Sequence, residues 1–254
     1  MARVIFEQPL SEALRLCLRL EKLFHQFDQA VASREEAYSR FAMDSLIEIL
    51  RVSDRPDLKS KLSQALSAQV VKFNQWSRNP QVDGNKLQGL IEEFEGFISI
   101  LNDRYSKVAS ELRDHPLIQS ISHHAMSPGG ACDHNVPMYQ LWLNQDEAVK
   151  LACFDHWLVH LSDLKKMVLT LLRVIRGAQP FESHYADRGF FQTPLQNACS
   201  LIRVSVDASL NCYAMTSVGK HRLSVTFYDL VDVSGPIESQ KSENNIKFKL
   251  ACCY

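Results

Sequence analysis

Apolar positions recur along this chain at two different periods, and the change falls near residue 180. Before it, helical spacing dominates. Leu10, Leu14, Cys17, Phe24 and Phe27 recur near every three to four residues, with Leu16, Leu20 and Leu23 widening the stripe. Ser11 is placed to cap this helix, which is expected to run to about Val31. Ser33 to Glu36 has the spacing of a capping box and opens a second helix to about Val52. Asp54 is read as the cap of a third, striped by Leu58, Leu62, Leu66, Val70, Phe73 and Trp76. Asp83 caps a fourth, with Leu87, Leu90, Ile91, Phe94, Ile98 and Leu101 inward. Asp114 opens a short segment, Pro116 to Ser122. A longer run over Glu147–Ile175 carries Phe154, Trp157, Leu161, Leu164, Val168 and Leu172, and Ser162-Asp163 divides it. Gly177 and Pro180 end it.

Beyond Phe181 the period drops to two. Ile202, Val204 and Val206 alternate with polar residues, as do Leu223, Val225 and Phe227, and Ile246, Phe248 and Leu250. Strands with one wet face make an antiparallel sheet. Gly219 marks a hairpin turn, and the polar stretch Asp232–Asn245 reads as a mobile loop. Arg3–Phe6 is a short β-like start ended by Pro9. The fold class expected is therefore α+β. A helical domain spans 10–178, a β domain spans 179–254, and residues 2–8 add a strand to the latter. Between them, Ser127–Leu143 is a seam: Pro128-Gly129-Gly130 makes a turn, and Val136–Leu143 is read as a strand joining the sheet.

Bulk composition narrows the function classes. The chain has 254 residues, a net charge of −1 and 46% hydrophobic residues, so nothing global argues for nucleic acid. A chain of this size buries roughly 70–75% of its unfolded surface and needs no staples. The longest apolar runs are too short for a signal-peptide core or a bilayer span, which points to a soluble cytoplasmic protein with no membrane contact. Its seven cysteines are odd in number and include no C-x-x-C, so free thiols are expected.

Candidate chemistry is sparse. His123, His124, Cys132 and His134 are zinc-type ligands, but their spacing fits no standard site; surface histidines beside a packed cysteine is the reading preferred, with no metal and no cofactor. Cys132 or Cys153 with His156 or His160 would be a nucleophile pair without a supporting local signature. No phosphate-binding glycine motif is present. The basic residues are more informative. Arg51, Arg55 and Lys59 are four apart, though broken by Ser53–Pro56. Arg15 and Arg19 share a helix face, Lys220-His221-Arg222 flanks the hairpin turn, and Arg203 projects from a strand opposite its apolar side. Taken alone, these are more simply scattered solvated charges than a cleft.

The seam also carries a resemblance. SPGG-x-C followed by N-x-P-x-x-x-x-W-L resembles the central signature of the ZapD family, bacterial proteins that bind and bundle the division tubulin homologue FtsZ. Val4–Leu10 (VIFEQPL), Arg15–Glu21 (RLCLRLE) and Leu250–Cys253 (LACC) resemble other family segments in the same order. The resemblance implies a non-enzymatic homodimer of a helical and a β domain, acting at the midcell division site. It implies recognition of the acidic C-terminal tail of FtsZ by basic residues near the domain junction. Arg19 matches an arginine of the family's first helix, Arg55 and Lys59 match basic positions after the second, and Lys220 and Arg222 match positions on the β hairpin. With Arg203 these form the candidate tail-binding set. Pro116 and Gln140 depart from the pattern, standing where relatives carry arginine and histidine, and Tyr254 is an extra C-terminal residue. The competing classes are a Cys/His-dependent enzyme, which Cys132→Ser would disable, and a nucleic-acid adaptor, which would bind with a steep salt slope.

Overall fold

The computed structural model describes residues 2–33, 36–77, 83–103, 109–128, 130–132, 134–195, 199–230 and 239–254. The protein is α+β, and its chain divides into two compact units: Met1–Arg15 with Leu172–Tyr254, and Leu16–Leu171.

The second of these is helical. Helix α1 (Glu12–Ser33) starts where Ser11 Oγ accepts a hydrogen bond from Leu14 N–H, as its cap position requires. Its stripe from Leu14 to Phe27 is buried. Helix α2 (Glu36–Ser53) follows; the side chains of 34–37, which carry the expected capping box, lie outside the described residues. Helix α3 (Leu58–Trp76) begins after Asp57 rather than Asp54. Asp54 does not cap it, because its carboxylate is drawn instead to Arg113, 2.9 Å away. Helix α4 (Gly84–Asn102) is capped as expected: Asp83 accepts from Lys86 N–H at 3.2 Å. Phe97, not Ile98, completes its buried stripe, and Phe73 meets Phe94 edge to face at 5.3 Å to hold α3 on α4.

A short turn of helix, α5 (Ser110–Arg113), leads into α6 (Pro116–His124), where Pro116 occupies the first turn and loses no helical hydrogen bond. Gly130 then closes a turn on Ser127 with φ +67°, a value glycine adopts without strain; Gly129 lies outside the described residues. The expected strand Val136–Leu143 is instead helix α7 (Pro137–Leu143), and it joins no sheet. Over seven residues both periods fit the same letters. The helix buries Tyr139, Trp142 and Leu143 and leaves Leu141 64% exposed, which strand alternation does not allow. Pro137 is as suited to a first helical turn as to a strand edge. Trp142 packs on Phe154 at 5.3 Å and Trp157 at 5.8 Å, inside helix α8 (Glu147–Val159). The chain breaks at His160-Leu161 before α9 (Ser162–Gly177), where Ser162 Oγ donates to Val159 O.

The other unit is a pair of antiparallel sheets. One has the order β1 (Arg3–Pro9), β4 (Leu201–Asp207), β8 (Ile246–Cys253), β2 (Glu182–Ala186). The other places β6 (Arg222–Leu230) between β5 (Cys212–Val218) on one side and β3 (Phe190–Pro194) followed by β7 (Ser239–Lys241) on the other. Ile202, Val204, Val206 and Phe248 of the first sheet share a buried core with Leu223, Val225 and Phe227 of the second, and Phe227 lies 5.1 Å from Phe248. Where one sheet was expected there are two, packed face to face. Of the stretch expected as a mobile loop, residues 231–238 lie outside the described residues and Ser239–Lys241 is a strand. The β2–β3 turn puts both Arg188 and Gly189 at positive φ, the primed hairpin geometry. A Cβ on Gly189 would stand 2.3 Å from Ser242 O, so this position excludes any side chain.

Candidate partner-binding surfaces

The β5–β6 hairpin presents the plainest basic surface. Val218 pairs with Leu223, Gly219 N–H donates to Arg222 O at 2.8 Å, and Leu195 N–H donates to His221 O at 2.9 Å. Buried Leu223 and Val225 anchor the strand beneath. The tip is thus held by its backbone, while Lys220, His221 and Arg222 all stand exposed. None of their side chains has an ion pair or hydrogen bond among the described residues. Positive charge held on a rigid turn and left unneutralised attracts anionic partners at long range.

The other candidates are placed differently. Arg19 is exposed on α1, likewise without a side-chain partner among the described residues. Arg55 and Lys59 lie together at the α2–α3 corner, and both are engaged. Arg55 holds the Asp57 carboxylate through two contacts of 3.1 Å, which keeps that carboxyl below its usual range. Lys59 donates to Asp103 O at 3.1 Å at the edge of a groove of about 640 Å³ lined by Ser60, Ser63 and Ser67.

Arg203 is enclosed. It sits opposite Glu7 across the β1–β4 ladder and donates to its carboxylate at 2.9 Å. Arg176 of α9 donates to the same carboxylate at 2.9 and 2.6 Å. The Arg203 guanidinium also donates to Arg176 O and lies over the Phe181 ring at 4.9 Å. Arg203 is 14% exposed and Glu7 17%. Its charge is therefore committed within the β unit, and it is not brought together with the hairpin tip. The sequence signal that separates it from the others was Glu7, three positions inside an unpaired-looking strand.

The rival chemistries gain no assembled site. Among the described residues no group of three His, Cys, Asp or Glu side chains is placed to hold a metal. His123 and His124 pack against each other, and Cys132 is half-buried. His156 and His160 pack ring on ring, and His160 Nδ1 lies 3.4 Å from Glu111. Among the described residues no helix is long and apolar enough to cross a membrane. One feature escaped the sequence reading: a groove of about 510 Å³ between α1 and α2, lined by Leu23, Tyr38 and Phe41, with Phe41 62% exposed. Asp44 at its edge has its carboxyl raised, chiefly by burial and partly by Glu48, against the opposing pull of Arg40. The apolar period of α2 marks the residues opposite this groove, and that is why it was not legible.

A protein-family model described as ZapD, cell division protein, matches residues 18–226. A cell division protein ZapD from Coxiella burnetii (strain RSA 331 / Henzerling II) is 34% identical over 252 residues, covering 98% of this chain and 97% of that one. The chain belongs to the ZapD family. ZapD proteins from Azoarcus sp. (strain BH72) and Janthinobacterium sp. (strain Marseille) are 29% and 26% identical over 251 residues, each covering 98% of this chain and 99% of its own. The segment matched by the ZapD model runs from α1 into β6 and contains Arg19, Arg55, Lys59, Arg203, Lys220 and Arg222.

Proposed function

We propose that this protein is a non-enzymatic cell division factor that binds the C-terminal tail of FtsZ and, as a homodimer, crosslinks FtsZ protofilaments in the cytoplasm at midcell, promoting Z-ring assembly and stability. The observation that carries the reading is the exposed, unpartnered basic tip Lys220-His221-Arg222 on a rigid hairpin in a member of the ZapD family. A tail bearing carboxylates beside apolar residues suits such a tip: the charges steer encounter, and the partner supplies the neutralisation that the chain does not. Arg19 offers the same unneutralised charge. Arg55 and Lys59 must exchange Asp57 and Asp103 O for the partner, so they contribute less each. Arg203 serves by fixing the β unit rather than by meeting the tail.

Two modest sites on one dimer gain avidity because the second binding event is intramolecular. Filaments display many tails, so weak single-site affinity suffices. The testing experiment is co-sedimentation with polymerised FtsZ, using full-length FtsZ and FtsZ lacking its C-terminal tail. Pelleting with the full-length filaments alone is the expected result. Equal pelleting with both moves the site off the tail, and no pelleting with either removes the function.

A further inference from the structure

Two cysteines meet at one end of the β unit. The chain bends at Ser200, just before β4, and this turns Cys199 back toward β8. Cys199 Sγ donates to Leu201 O at 3.2 Å and to Cys253 O at 3.1 Å, while Ser200 N–H donates to Cys253 O at 2.7 Å. Cys252 opposes Ile202 in the β4–β8 ladder, so its side chain falls on the same face as that core residue. Both Cys199 and Cys252 are half-buried, pack against the sandwich core, and hydrogen-bond thiol to thiol. Cys253 alternates to the opposite face and is buried.

We propose that Cys199 and Cys252 are a redox-active dithiol, oxidised by hydrogen peroxide to a disulfide that ties the start of β4 to the end of β8. The thiol pair is already in contact, and side-chain rotation alone must bring the sulfurs to the bonded distance of about 2 Å. The roles divide by the hydrogen bond. Donation from Cys199 holds the Cys252 thiol below its ordinary range, against burial and Glu182, and makes it the nucleophile. The same bond, with burial, raises Cys199, which acts second. The Cys252 thiolate attacks one peroxide oxygen; the O–O bond breaks and the departing hydroxide takes a proton to become water. Cys252 is now a sulfenic acid. Cys199 sulfur attacks Cys252 sulfur, the S–S bond forms, the S–O bond breaks, and the second hydroxide leaves as water with the Cys199 proton. Two thiols and one peroxide give one disulfide and two waters. In a reducing compartment such a bond is transient, which suits a sensor. Cys17 is the contrast: burial, helped by Glu21, pushes its thiol up to about 12, and it has no thiol partner among the described residues.

The test uses the full chain. Protein treated with hydrogen peroxide is alkylated with N-ethylmaleimide, digested without reduction and mapped by mass spectrometry. The expected product is a peptide pair joining Cys199 to Cys252, lighter by two hydrogens than the separate thiols and abolished by dithiothreitol. Cys199→Ser should yield no linked pair and a dimedone-trapped sulfenic acid at Cys252. If Cys199 and Cys252 remain as fully alkylated as Cys132 after peroxide, or if Cys252 links only to another molecule, the assignment is overturned. Should Cys199→Ser fail to fold, the wild-type peptide map alone decides.

Discussion

One carboxylate, Glu7, answers two guanidinium groups, and most of its surface is hidden from water. Removing it leaves Arg176 and Arg203 facing each other with nothing between. Breaking a buried pair from one side costs about 3 kcal/mol. Glu7→Gln should therefore lower the urea midpoint of the full chain by that order with an unchanged slope, while Lys220→Gln on the open tip should leave it unmoved. A second prediction at this scale concerns acid. The Asp83 carboxyl lies below the ordinary value of 3.8, first because it accepts the Lys86 N–H and then because of the Lys86 ammonium. A carboxyl lowered by folding contributes stability that is complete above its unfolded value and is lost as pH falls through the folded one. Asn caps as well as Asp but carries no charge. Asp83→Asn should thus reduce the loss of thermal midpoint between about pH 5 and about pH 3, with little change at neutrality.

Among the elements, the β5–β6 hairpin is where binding should respond to charge. Lys220→Glu with Arg222→Glu replaces attraction by repulsion on a turn whose backbone bonds involve neither side chain. FtsZ tail affinity, read by fluorescence anisotropy, is expected to fall by about tenfold or more, and the wild-type affinity to weaken with salt. An unchanged affinity would remove the hairpin from the site. The hairpin was legible in advance because Gly219, a basic run and an alternating strand occur together. Helices α3, α4 and α9 were legible because their stripes repeat over four turns or more. Helix α7 was not, since seven residues starting with proline satisfy both periods. Strands β2, β3 and β5 lack clean alternation, so one sheet was read where two exist. The position of Arg203 on a strand was readable, but its neutralisation was not, because Glu7 and Arg176 are distant in sequence and only the ladder register brings them to it.

For the molecule as a whole, the proposed activity separates into binding and bridging. A monomeric variant with an intact hairpin should retain tail affinity and lose bundling, measured by light scattering of polymerised FtsZ. Normal bundling by a strict monomer would rule out the dimer crosslink.

The order in which the chain is made adds a further consequence. Strand β1 pairs with β4 across a sequence separation of 202 residues, and the whole helical unit is threaded between them. Closing so long a loop is slow, and synthesis must pass through every helix before β1 meets its partner. Val4, Ile5 and Phe6 therefore wait unpaired while the helical unit folds, a window in which they are substrates for a holdase or for another strand. Refolding should register this delay. The three tryptophans all lie in the helical unit, so their fluorescence should recover before the amides of Val204 and Val206 gain exchange protection.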